Sequence, residues 1–221
     1  HYGDVNYHRQ SAKMLATTLY LMWGVPFLYY GEEIGMVNPE IKRLEDLRDL
    51  SSILRYRSLI DNDKISPEEA LKIIAHTTRD NARTPMQWSD EAYGSFSKVE
   101  PWILCGDYEK INVSQQEEDP DSILHYYRKL LALRREGIYR DTIINGSYQL
   151  LLPESKEIYA YLRTFKEQKL LIICNFTDEN QTLPDLGYHY KKRIISNYTN
   201  ETTILLPYQA IVWEIEDKEK E

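Results

Sequence analysis

Between residues 9 and 23 apolar positions recur at three- and four-residue steps. Met14, Leu15, Thr18, Leu19 and Met22 share one side and Gly24 offers a stop, so the spacing predicts a helix. Val25-Pro26-Phe27-Leu28-Tyr29-Tyr30 follows as an almost wholly apolar run between Gly24 and Gly31, the pattern of a buried parallel strand. Helix, tight turn and fully buried strand make half of a βα repeat, as in an α/β barrel or wound sheet. Gly31-Glu32-Glu33-Ile34-Gly35-Met36 then lies at the carboxyl end of the strand, where α/β folds carry their chemistry.

A more charged stretch comes next. Leu44, Leu47, Leu50, Ile53, Leu54 and Leu59 predict a surface helix within 41–60, and Ser66-Pro67-Glu68-Glu69 is a capping box that starts another, running to about His76. Residues 79–102 have no period and are rich in Asn, Pro, Gly, Ser and Trp. They read as an ordered functional loop in which Trp88, Phe96 and Trp102 need burial. Asp119-Pro120-Asp121-Ser122 caps a helix over Ile123–Arg135 that stops at Gly137. Beyond it the texture changes to short alternating or apolar runs at 149–152, 158–165, 170–175, 193–198, 202–206 and 210–215, which predict an antiparallel sandwich or barrel. The tail 216–221 is charged and expected to fray. The boundary between the two textures falls near Glu136–Tyr139.

Composition removes some partners. The net charge is -8 and no basic run exceeds Lys191-Lys192-Arg193, which argues against nucleic acid and against an anionic membrane surface. Eighteen Tyr and four Trp stand against four Phe, a skew towards rings with a polar handle. Such rings suit both the C–H faces and the hydroxyls of a sugar, and they also suit half-buried strands. Cys105 and Cys174 sit in apolar contexts and are expected to be buried reduced thiols. No run approaches the ~20 apolar residues of a membrane span. No signal peptide opens the chain either, so a cytoplasmic location is expected. His8, His76, His125 and His189 have no spacing for a metal or a triad, and neither metal nor cofactor is expected.

The chain resembles a known family through an ordered set of motifs. They are Ser-Ala-Lys-Met-Leu-Ala-Thr (11–17), Gly24-x-Pro26, Tyr30-Gly31-Glu32-Glu33-Ile34-Gly35-Met36 and Arg79-Asp80-Asn81-Ala82-Arg83-Thr84-Pro85-Met86-Gln87-Trp88, followed by Pro101-Trp102-Ile103, Asn112-Val113 and Tyr126-Tyr127-Arg128-Lys129-Leu130. This order is similar to the oligo-1,6-glucosidase subgroup of glycoside hydrolase family 13, the α-amylase superfamily. The resemblance implies the C-terminal part of a (β/α)8 barrel over residues 1–137, comprising a helix, the eighth strand, a long substrate-binding loop and the last helix. An antiparallel β-sandwich domain over 138–221 would follow. The first six repeats and the seventh strand would lie upstream of His1.

Retaining glycosidases need two carboxyl groups about 5 Å apart. The resemblance places that pair, and a third stabilising Asp, upstream, so no catalytic residue is expected in this chain. Glu32 and Glu33 are adjacent and their side chains should diverge, which prevents them from being the facing pair. The expected substrate-binding residues are Arg83 and Glu33. The resemblance implies that Arg83 pairs with an upstream Asp and holds the terminal glucose; the alternative is an Arg that ties the loop to the barrel. Glu33 would border the acceptor sugar or be a buried carboxylate bonded to nearby backbone or Arg. Trp88 is expected in the loop core. Trp23, Val25 and Tyr30 depart from the subgroup, which leaves isomaltose-type oligosaccharides, sucrose and trehalose 6-phosphate open as substrates.

The resulting expectation is an exo-acting retaining α-glucosidase acting on small oligosaccharides, inactive as this chain alone. Either the missing N-terminal part or a second chain would cover the exposed strand. A non-catalytic glucosidase-like interaction protein is the alternative of another class.

Overall fold

The computed structural model describes residues 3–199 and 204–218. The chain forms two compact units: residues 3–28 with 121–199 and 204–218 make one, and 29–120 make the other as an excursion between two of its helices.

The first unit is built on an antiparallel sheet. Strands β1 (Ser147–Leu151), β2 (Ile158–Phe165), β3 (Gln168–Asn175), β5 (Tyr188–Ser196) and β7 (Ala210–Asp217) lie in the order β1-β2-β3-β7-β5, while β4 (Gln181–Thr182) and β6 (Ile204–Leu205) pair separately. Alternation along the central strands sorts two cores. Tyr161, Leu170, Ile172, Cys174, Ala210 and Val212 face helices α1 (His8–Tyr20) and α5 (Ile123–Arg135). Ala160, Leu162, Leu171, Ile173, Ile211 and Ile215 cluster on the other face with Leu205 of β6. With both faces covered, β3 reads as a continuous apolar run rather than an alternating one. The expected antiparallel sheet domain is present, and its second layer is small. β5 ends the sheet, and Lys191-Lys192-Arg193 with two register shifts along its pairing to β7 give that edge charge and irregularity, which disfavour strand addition.

Helix α1 ends earlier than its periodicity predicts. The reason is tertiary: the Arg134 guanidinium donates to the carbonyls of Tyr20, Met22 and Gly24, and fully buried Arg163 donates to Leu21 (3.0 Å), Gly146 (2.7 Å) and Ser147 (3.2 Å). These side chains satisfy carbonyls that a further helical turn would otherwise cover. Ser122 caps α5 by accepting the His125 amide at 3.2 Å, as predicted. A short helix α6 (Arg140–Asn145), which has no clear periodic signal, leads into β1.

The run 25–30 corrects the expectation of a buried strand. It carries no strand assignment, and Val25 and Phe27 are 80% and 86% exposed. A strand exists only through its neighbours, and no described strand pairs with this one. Residues Thr202 and Thr203 of the predicted strand 202–206, and the tail beyond Lys218, lie outside the described residues. Cys174 is buried, whereas Cys105 is only partly so; both are free thiols.

In the second unit, α2 (Leu50–Asp61) and α3 (Pro67–Thr77) pack through Leu47, Leu59, Ala70 and Ile74. Ser66 caps α3 by accepting the Glu69 amide at 3.3 Å. The helix predicted within 41–60 starts only at Leu50. Asp49 holds an extended backbone and caps it, accepting the Ser52 amide at 3.0 Å and the Ser52 hydroxyl at 2.8 Å. A further helix, α4 (Val113–Glu118), is capped by buried Asn112 accepting the Gln115 amide at 2.9 Å.

Candidate functional site

The loop 79–88 begins as a turn of 3-10 helix, Arg79–Arg83, capped by Thr78, whose hydroxyl accepts the Asp80 amide at 3.3 Å. Thr84, Pro85, Met86 and Gln87 are then buried, so the segment is anchored along its length. Its end is tied to neighbouring backbone: the Trp88 amide donates to Gly94 O at 2.8 Å, and the Val113 and Ser114 amides donate to the carbonyls of Gln87 and Trp88, each at 3.0 Å. Gly94 is required where the strands of this loop meet. Its φ is +65° and a Cβ there would lie 3.2 Å from the Gln87 Cα.

Two tyrosines brace the front of the loop. Tyr29 donates its hydroxyl to Ala82 O at 2.5 Å, and Tyr30 donates to Thr84 O at 2.9 Å. The Tyr30 ring and hydroxyl thus clamp the loop. Partial burial, followed by the neighbouring Tyr29, pushes the Tyr30 phenol up, so it stays a donor at neutral pH.

Arg83 and Glu33 line one cavity of about 720 Å³, together with Trp88, Phe96, Pro101 and Trp102. The aromatic side chains do not fill a loop core as expected. Trp88, Phe96 and Trp102 are 50%, 53% and 63% exposed and form an open apolar wall beside one cation, Arg83, and two carboxylates, Glu33 and Glu100. This is the make-up of a site for a polar ligand with apolar faces, fixed by a few charged groups. The sequence pattern marks these rings as important but cannot tell a wall from a core.

Glu32 and Glu33 diverge. Glu33 accepts the Gly31 amide at 2.7 Å and faces the larger cavity, while Glu32 accepts the Tyr29 amide at 3.3 Å and faces a smaller one of about 260 Å³. Both sit in a 3-10 turn, Glu32–Ile34, entered through Gly31 at φ +91°.

Arg83 meets two carboxylates of this chain. Its Nη1 donates to Asp80 Oδ1 at 3.3 Å and lies 3.7 Å from Asp49 Oδ1. Asp80 is only 2% exposed, and its Oδ2 accepts the amides of Arg48 (2.7 Å) and Asp49 (2.9 Å). Hydrogen bonding from the Ser52 hydroxyl, with the Ser52 amide and the Arg79 and Arg83 charges, holds the Asp49 carboxyl below the usual carboxylate range in spite of burial. Sequence reading missed both acids as partners of Arg83. The three-residue step from Asp80 to Arg83 was the available signal; Asp49 is too distant along the chain to have one.

Comparison with known proteins gives this site a family. The alpha amylase catalytic-domain model matches residues 1–142. An oligo-1,6-glucosidase of Parageobacillus thermoglucosidasius is 40% identical over 96% of the chain. Among solved structures, the trehalose-6-phosphate hydrolase of Bacillus licheniformis superposes with a TM-score of 0.88 at 38% identity over 97% of the chain. The trehalulose synthase of Pseudomonas mesoacidophila MX-45 does so at 0.88 and 32% over 96%. The chain spans 39%, 40% and 39% of these three proteins' lengths, respectively. The described helices and sheet are thus the C-terminal part of a (β/α)8 barrel followed by an antiparallel sheet domain. With the family match covering well over half of its residues and the loop 79–88 inside the matched region, the chain belongs to the alpha-amylase catalytic-domain family.

Proposed function

We propose that this chain is the C-terminal portion of an exo-acting retaining α-glucosidase of the oligo-1,6-glucosidase type, which releases terminal α-linked glucose from short oligosaccharides. The reading rests on one observation above the others: Arg83 and Glu33 line a single cavity walled by Trp88, Phe96 and Trp102. In this reading Arg83 donates to hydroxyls of the terminal glucose, the aromatic wall receives the sugar's C–H faces and Glu33 borders the acceptor side. A guanidinium offers several fixed donors, so it can hold a carboxylate and a sugar hydroxyl together. Residues 1–137 supply the barrel portion and 138–221 the sheet domain.

The carboxylate pair needed for retaining hydrolysis is assigned to the portion of the relatives that this chain does not span, which makes the chain inactive alone. That portion, or a second chain, is also the proposed cover for residues 25–30. The proposed location is the cytoplasm. Among the described residues, no helix is long and apolar enough to cross a membrane.

The test is to restore the upstream coding sequence and measure glucose release from isomaltose, sucrose and trehalose 6-phosphate. Release from isomaltose above the other two is expected. A preference for trehalose 6-phosphate would move the assignment to the trehalose-6-phosphate hydrolase type, and release from none would remove the glucosidase reading.

A further inference from the structure

We infer that Asp80 and Asp49 are positioning residues for Arg83, together fixing the direction in which its guanidinium enters the cavity. The inference rests on the role proposed above for Arg83 and adds the device that orients it. Arg83 is 43% exposed on a flexible stem, and a side chain in that state samples many rotamers unless something holds it. The holding is one-sided. Among the described residues only Nη1 has carboxylate partners, Asp80 at 3.3 Å and Asp49 at 3.7 Å, so the remaining donors of the fork are left for the cavity.

The clamp is itself rigid. Asp80 Oδ2 is occupied by two backbone amides, those of Arg48 and Asp49, which leaves Oδ1 aimed at Arg83. Asp49 Oδ2 is likewise taken by the Ser52 amide and hydroxyl, which leaves Oδ1 for Arg83. The Ser52 and Thr78 hydroxyl oxygens lie 2.9 Å apart, within hydrogen-bond distance, and Thr78 caps the 3-10 turn that carries Arg83. Arg48, bound to Asp80 through its amide, donates its Nε to Trp102 O at 2.8 Å. One buried carboxylate thereby sets the Arg83 direction and ties in the backbone of an aromatic wall residue. Two anions around one guanidinium also keep the net local charge from turning strongly positive, which suits a neutral hydroxyl-rich ligand.

Asparagine at either position preserves shape. In Asp80→Asn the amide oxygen can still accept the two backbone amides, and in Asp49→Asn it can still cap α2. The oxygen facing Arg83 is then replaced by an NH2 group, so both the charge and the hydrogen-bond acceptor are lost there. On the 221-residue chain, nitrogen-15 spectra of arginine side chains at low temperature, with Arg83 assigned through its loss in Arg83→Lys, should show slowed rotation about Cζ–Nη1. In Asp80→Asn that rotation should speed up at least about threefold, and in Asp49→Asn by less, with Tm within about 3 °C of the parent chain. If Asp80→Asn does not fold, Asp49→Asn carries the comparison. Fast rotation in the unsubstituted chain, or no change in the variants, overturns the inference.

In the restored full-length enzyme, Asp80→Asn should raise KM about tenfold with little change in kcat, and should have no further effect on an Arg83→Ala background. Additive effects there would reduce Asp80 to a structural role. Because the spectroscopic arm needs no activity, absence of glucose release in the unsubstituted enzyme would remove the proposed function and leave the clamp separately measured.

Discussion

At the scale of single residues, the molecule spends its buried charge on backbone carbonyls and amides. Arg163 is the clearest case, since it is fully buried and donates to three carbonyls at the junction of α1, α6 and β1. Replacing it with Met keeps most of the volume and strands those carbonyls. Arg163→Met should lower the unfolding free energy by about 3–5 kcal/mol, measured by urea titration of the chain. A loss below about 1 kcal/mol would show that water can replace the guanidinium. Tyr161 supports the same helix end by donating to Thr18 O at 2.8 Å; burial raises its phenol well above the usual range, so it remains a donor at every working pH. Asp80 plays the reverse role, accepting amides with one oxygen and facing Arg83 with the other. None of these partnerships lies close enough in sequence to be read from it, apart from the three-residue step between Asp80 and Arg83. Arg83 and Glu33 could be singled out from motif alone, but not the acids that hold Arg83.

At the scale of elements, what could be read locally was read well. β2 spans Ile158–Phe165 and α5 spans Ile123–Arg135, both at the predicted bounds, because alternation and a Ser122 cap are written in neighbouring residues. α3 begins where Ser66-Pro67-Glu68-Glu69 says it should. Ser66→Ala should destabilise the α2–α3 pair by about 1 kcal/mol, seen as earlier loss of helical signal on heating, while Asn at the same position should be close to neutral. Equal losses for both substitutions would mean that the cap hydrogen bond is not what starts the helix. Elements that depend on distant partners were not legible. The start of α2 is set by Asp49, whose own amide is bound by Asp80, and the end of α1 is set by Arg134 and Arg163. The aromatic rings at 88, 96 and 102 were expected inside the loop and instead wall a cavity, since composition carries no information on which way a ring faces.

At the scale of the whole molecule, the segment 25–30 separates what sequence encodes from what a fold must supply. Its apolar run has the composition of a central barrel strand, yet strand structure needs at least one paired neighbour. Among the described residues, the amides of Val25, Phe27 and Leu28 have no hydrogen-bond acceptor. Hydrogen exchange should find them near the rate of an unstructured peptide, while Leu170–Cys174 of β3 exchange many orders of magnitude more slowly. Strong protection at 25–28 would mean that another polypeptide pairs with them.

The site, in contrast, is assembled within residues 29–120, with the loop anchored by buried Gln87 and Asn112 and by the tyrosine clamp. The central claim is that this loop recognises a terminal sugar through Arg83. Its most direct test is Arg83→Ala in the restored full-length enzyme, assayed for glucose release from isomaltose. A fall of about a hundredfold or more in kcat/KM, with Tm little changed, is the predicted result; unchanged kcat/KM would contradict it.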